Sequence, residues 1–168
     1  GTYVLDKTHA SLTAKVSHMG LSSYTVRFDS LDAHYDYDPA SPAASQISVT
    51  VDANSLDVGD GKIAAQFAKQ FLGADRYPQI TFVSTGIQAT GPDQGVVTGN
   101  LTLNGVTKSI SLAVTFNGCG PGLLGFGGYR MGFSATGDIK RSDFGSRAWL
   151  GLVGDEVHLV IEAEFSRK

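Results

Sequence analysis

An all-β antiparallel fold, a barrel or a sandwich carrying one short helix, is what this sequence predicts, and three observations carry the prediction. Apolar residues recur with period two in segment after segment, the alternation of strands with one buried face. Turn-forming residues separate these segments at short intervals, which suits neighbouring antiparallel strands better than a parallel sheet. Glycine is abundant, at 21 of 168 residues, while charged residues make up only 17%, a composition of short strands and tight turns.

The elements follow in chain order. Thr2 to Leu5 supplies a short first strand, and Ala10, Leu12, Ala14 and Val16 alternate with polar residues as a second. From Tyr24 to Asp38 the apolar parity changes: Tyr24, Val26 and Phe28 share one phase, and Leu31, Ala33, Tyr35 and Tyr37 the other. One extra residue near Asp29-Ser30 restores the facing, so a β-bulge is expected there. Pro39 to Ser45 reads as a loop, and Ile47, Val49 and Val51 as the next strand. Lys62 to Leu72 breaks the rule, because Ile63, Phe67 and Phe71 lie four apart, with Asp60 as N-cap and Gly73 as C-terminal stop. That is a short amphipathic helix. Ile80 to Ala89 returns to a strand with both parities partly apolar. Val97 to Leu103 and Ile110 to Phe116 alternate around Asn104-Gly105, a dipeptide that supplies the positive φ angles of a two-residue hairpin turn. Asn117 to Gly128 is a glycine-rich loop, Met131 to Ile139 a strand, and Val157 to Phe165 the last one. The total is eight or nine strands in one domain, residues 1–168.

Composition excludes several functions. Net charge is −3, with 13 basic and 16 acidic residues intermixed, which leaves no basic footprint for nucleic acid. No apolar run approaches the roughly 18 residues of a membrane-spanning helix, so no stable membrane insertion is expected. Cys119 is the only cysteine, so no intrachain disulfide forms; a lone thiol is compatible with either redox compartment.

The apparent motifs lack their contexts. Gly120, Gly122 and Gly125 spell a dinucleotide fingerprint, but Phe126-Gly127-Gly128-Tyr129 follows where a helix N-terminus would be needed. Asp143-Phe144-Gly145 spells a kinase triplet without the rest of a kinase. His9, His18, His34 and His158 show no metal-ligand spacing, so no metal site is expected; His18 reads as a partly buried histidine at a barrel rim. No nucleophile elbow is present. An enzyme acting on a lipid-like substrate would need converging polar groups, and His18 with Asp143 is the nearest pair.

What remains is apolar surface. Nine Phe, six Tyr and one Trp partly fill a core, yet an eight-stranded barrel is also wide enough to hold a small ligand. The candidate ligand-binding residues are His18, Phe28, Phe67, Phe71, Phe82, Leu101, Met131, Phe133, Phe144 and Trp149. No catalytic residue is assigned.

Several ordered segments resemble the YceI-like family. They are Tyr3-Val4-Leu5-Asp6-Lys7-Thr8-His9-Ala10, Val16-Ser17-His18-Met19-Gly20, Phe28 with Asp32 to Asp38, and Phe71-Leu72 through Tyr77-Pro78 to Ser84-Thr85. Gly99 to Lys108, Arg141-Ser142-Asp143-Phe144-Gly145 and Val153 to Val157 complete the set. The resemblance implies an extended eight-stranded antiparallel lipocalin-like β-barrel, commonly exported, so a periplasmic or secreted location is expected. It implies non-enzymatic binding of a long-chain amphiphile such as a polyprenyl phosphate, an isoprenoid quinone or a fatty amide, with no cofactor beyond that ligand. A polar head near the rim would contact His18, Arg141 or Arg147. A stress-related protein-interaction role and a homodimer are compatible with the same reading.

Overall fold

The computed structural model describes residues 1–125 and 128–168; Phe126 and Gly127, which follow the glycine fingerprint, lie outside the described residues. Ten strands form one continuous antiparallel sheet: β1 (Thr2–His18), β2 (Ser22–Phe28), β3 (Leu31–Asp36), β4 (Gln46–Asp52), β5 (Leu56–Asp57), β6 (Gln79–Ala89), β7 (Gln94–Leu103), β8 (Val106–Pro121), β9 (Tyr129–Lys140) and β10 (Val153–Arg167). One helix, α1 (Gly61–Leu72), lies between β5 and β6.

The sheet closes because β10 pairs with both β9 and β1. β2 and β3 together make one stave beside β1: β2 pairs with its C-terminal half and β3 with its first residues. β4 and β5 continue the next stave in the same way. Counted by staves, this is a closed eight-stranded antiparallel barrel, and closure removes the exposed edges that an open sheet must protect.

The parity change at Asp29-Ser30 is real and goes beyond a bulge: strand pairing stops there and resumes in the opposite phase. Thr2–Leu5 and the Ala10 segment are one strand rather than two. The register with β10 jumps from Leu5↔Phe165 to Ala10↔Ala163, so Asp6–His9 bulge out of a continuous β1. Asp6 holds the bulge by accepting hydrogen bonds from the Thr8 hydroxyl (2.6 Å) and the Thr8 amide (3.0 Å). The glycine-rich segment is also less loop-like than its composition suggests. Gly118, Cys119, Gly120 and Pro121 stay paired with β9 after a register shift beyond Phe116.

The Asn104-Gly105 turn has φ of 54° and 71°, the two left-handed residues of the tightest hairpin connection. Helix α1 is capped as its ends indicate. Asp60 accepts from the amides of Lys62 and Ile63, and Gly73, at φ 61°, donates back to Lys69 while Ala74 donates to Ala68. Its inward face is turned by a residue from the Ile63 stripe. Ala64 and Ala68 are buried and Ile63 is exposed, because small side chains let the helix lie close over the barrel end.

Candidate functional site

The inward residues of the barrel divide into two regions. Around the N-terminal half of β1, Tyr3, Leu5, Ala10, Ala33, Met131 and Phe165 are buried together, with Tyr35, Tyr37, Phe116 and Phe133 packed against them. Ring centroids in this set lie 5.5–6.2 Å apart, within ordinary aromatic packing distance. This region is solid.

The other region is hollow. A cavity of about 310 Å³ runs between β1, β2, β4 and β6–β10, under α1, at the lower end of the range for small-molecule sites. Its wall is almost wholly hydrocarbon. Leu12, Ala14 and Val16 come from β1, Val26 and Phe28 from β2, Val49 and Val51 from β4, and Phe82 and Leu101 from β6 and β7. Val157, Leu159 and Ile161 complete the wall from β10. Phe67 and Phe71 of α1 close over it, edge to face with centroids 5.4 Å apart, and Tyr24 meets Phe67 at 6.0 Å. The helix therefore forms one side of the chamber through Phe67 and Phe71, while Ile63 of the same stripe stays outside.

Two buried polar residues stand among those around the cavity, with their polar atoms set behind its hydrocarbon surface. Arg141 is only 5% exposed and Ser146 4%, and both line the cavity. The 3₁₀ turn Arg141–Phe144 ends on Gly145 at φ 73° and returns the Ser146 amide to the Arg141 carbonyl at 3.0 Å. From there the guanidinium donates to three main-chain carbonyls: Nε to Gly154 at 2.8 Å, Nη1 to Ser146 at 3.2 Å and Nη2 to Val153 at 2.9 Å. Its face lies over the Phe71 ring, 5.4 Å from the centroid. Burial pulls the Arg141 pKa down and Asp155 counters this; arginine stays charged nonetheless. Asp155 itself accepts from the Ser142 hydroxyl and amide, which hold its carboxyl below the ordinary carboxylate range.

Six of the sequence-derived candidates, His18, Phe28, Phe67, Phe71, Phe82 and Leu101, line the chamber. Met131 and Phe133 instead belong to the solid region. Phe144, 1% exposed, is packed in the cluster with Phe82 and Leu101 behind the wall. Trp149 points outward, 58% exposed at φ 57°. His18 is at the rim as expected, but exposed rather than partly buried. Asp143 is exposed and does not line the cavity, so the pair His18 and Asp143 does not converge. Arg147 is exposed too. Ser146 escaped the sequence reading, and its place directly after the Arg141–Gly145 stretch was the one available signal. Met19, Leu21, Trp149, Leu150 and Leu152 are exposed on two loops joined by the Met19 amide donating to the Leu152 carbonyl at 2.7 Å.

Away from the chamber, Asp6, His9 and Glu164 lie close enough to share a cation, but Arg130 already donates to Asp6 at 3.0 Å and to Glu164 at 3.4 Å. No helix among the described residues is long and apolar enough to cross a membrane.

A closed antiparallel barrel with an apolar interior chamber and a helix over one end is a lipocalin-like architecture. Within it the chain belongs to the YceI family: the YceI-like domain model matches residues 3–165. A UPF0312 protein of Shewanella baltica is 38% identical over 169 aligned positions, spanning 99% of this chain and 87% of that protein. One from Azotobacter vinelandii matches equally well, at 38% over the same shares. Among solved structures, Burkholderia cenocepacia BcnA superposes with a TM-score of 0.83 at 30% identity, covering 95% of this chain and 98% of that one. A polyisoprenoid binding domain from Saccharophagus degradans shares the fold, with a TM-score of 0.76 at 18% identity and coverage of 99% and 98%.

Proposed function

We propose that this protein is a non-enzymatic carrier that binds a long-chain amphiphilic lipid, a polyprenyl phosphate, an isoprenoid quinone or a similar molecule, with its tail in the barrel. The observation that carries this reading is the chamber itself, about 310 Å³ with a wall of aliphatic and aromatic side chains. Moving a prenyl tail from water into such a wall gains about 25 cal/mol per Å² of apolar surface removed from water. The wall is part of the barrel, so little ordering opposes binding. The fold shared with a protein named as a polyisoprenoid binding domain, together with membership of the YceI family, supports the same ligand class. The proposal extends to a periplasmic or secreted location and to a ligand-only site without a further cofactor.

Native mass spectrometry of the purified protein, followed by solvent extraction and identification of whatever accompanies it, tests this directly. A stoichiometric prenyl lipid, co-purified or taken up on addition, is the expected result. A protein that stays empty and ignores added prenyl chains refutes the carrier reading.

A further inference from the structure

Two loop tips border the chamber at the end where β1 stops and β10 starts. Ser17 and His18 close β1 and Val153 opens β10; all three line the chamber, and His18 pairs with Val153. The chain runs from these rim residues straight into Met19-Gly20-Leu21 on one side and back to Trp149-Leu150-Gly151-Leu152 on the other. Neither run holds a charged residue, and the only polar side-chain group in either is the Trp149 indole N–H. All five large side chains are exposed, Leu21 the most at 80%. The display is built rather than frayed. The Met19 amide donates to the Leu152 carbonyl at 2.7 Å, and the Leu152 and Val153 amides donate to Trp149 at 2.8 and 2.7 Å. Met19 and Trp149 both sit at left-handed φ, 53° and 57°, a conformation that favours glycine and that tends to persist where function requires it.

Contiguous exposed apolar side chains mark a surface that something covers. A stable protein interface uses about 20–30 residues a side and about one hydrogen bond per 100–200 Å², and two tips with a single side-chain donor supply neither. A bilayer asks for less: leucines that enter the acyl boundary and a tryptophan whose ring lies at the head-group level. The tips are continuous with the rim of an apolar chamber, so a tail leaving a bilayer there would pass from one hydrocarbon phase to the other. The opposite end differs. Leu123 and Leu124 are exposed, but they lie between β8 and β9 beside the solid region, and neither lines the chamber.

We infer that Met19, Leu21, Trp149, Leu150 and Leu152 form a peripheral membrane-docking face that sets the chamber rim against a lipid bilayer. The face lies on the membrane without spanning it. The choice of a bilayer as its partner rests on the carrier reading above.

Trp149 is the only tryptophan of the chain, so its emission reads this face alone. The test mixes the protein with phosphatidylcholine vesicles and follows flotation and Trp149 emission, then repeats the titration with brominated acyl chains. The protein should float with the vesicles, its emission should move to shorter wavelength, and the brominated chains should quench it. Leu21→Asp and Leu152→Asp, both at exposed loop positions, should keep the wild-type melting temperature. Each should raise the lipid concentration for half-maximal binding by about tenfold, the scale of one leucine returned to water. Leu124→Asp, at the other end, should leave it unchanged. Protein that stays behind with unaltered emission overturns the proposal. Short-wavelength emission in buffer together with a doubled native mass also overturns it, because a second copy then covers the face. Vesicle binding lost in Leu124→Asp but kept in Leu21→Asp does the same. Prenyl-lipid uptake, measured separately by native mass spectrometry, keeps the two readings apart. Uptake without flotation removes the docking face and leaves the carrier; flotation without uptake leaves the docking face and removes the carrier.

Discussion

The two ends of this barrel are built from the same strands and differ in what those strands point inward. Along β1 the inward residues pass from Tyr3 and Leu5 to Leu12, Ala14 and Val16; along β10 they pass from Phe165 back to Ile161, Leu159 and Val157. At the aromatic end the rings of Tyr3, Tyr35, Phe133 and Phe165 meet across the barrel. At the aliphatic end the branched side chains stop short of one another and leave the chamber. Burial follows the same division. Tyr3, Leu5 and Phe165 are buried, whereas Leu12, Val16, Val157 and Leu159 are half-buried although they face inward. The hollow is thus a matter of side-chain reach on a shared backbone.

The largest effect is expected where the barrel is solid. Phe165→Ala removes a ring packed against Tyr35 and Phe133 and should cost about 3–5 kcal/mol, read from denaturant unfolding. A loss below about 1 kcal/mol would mean that this end, too, has slack, and the comparison would break. The converse substitution is Val157→Phe. It pushes a ring into the chamber, where there is room, so stability should change by less than the 1–3 kcal/mol typical of overpacking. Binding of a prenyl chain should fall at least about tenfold, a loss of about 1.4 kcal/mol, by titration or native mass spectrometry. Unchanged binding would place the ligand elsewhere.

The smallest effect is electrostatic and touches both ends. Asp6, beside the solid end, is held well below the ordinary carboxylate range, first by the Thr8 hydroxyl and then by His9. Asp155, beside the chamber, is held down by the Ser142 hydroxyl. A carboxyl with a depressed folded pKa stabilises the fold above its unfolded value, about 3.9, and loses that contribution as the pH falls through the lower folded value. Stability should therefore decline with acid below about pH 5. Asp6→Asn should flatten that decline more than Asp155→Asn, because Asp6 carries the larger shift. Equal acid limbs in all three proteins would refute the assignment.

The barrel was largely legible in the sequence because its signals are local. Asp60 and Gly73 bound the helix, Asn104-Gly105 turns the hairpin, and the parity change at Asp29-Ser30 marks a stave that reverses its facing. What escaped was non-local. The composition of Gly118–Pro121 reads as loop, and only pairing with β9 makes it strand. The break at Asp6–His9 looks like an inter-strand turn until β10 is seen to run past it. The chamber was harder still. Met131 and Phe133 show the same alternation as Ile139 further along β9, and nothing within one strand says which stretch meets rings from the opposite wall and which meets space. Arg141 stood out by its charge, but Ser146 is one serine among many until its burial is known.

The pairing that closes the ring joins β1 to β10, setting Ala14 opposite Leu159 and Leu5 opposite Phe165. Contacts so distant in sequence are slow to form, because a loop must be closed before any of them is rewarded. Folding should accordingly be slow for a domain of this size, with the last stave docking onto the first as the step that turns a curved sheet into a vessel. Until that seam zips, the wall that would shelter a lipid tail is an open gutter with two unpaired edges. The same contact thus sets both the pace of folding and the moment at which the chamber gains a complete wall.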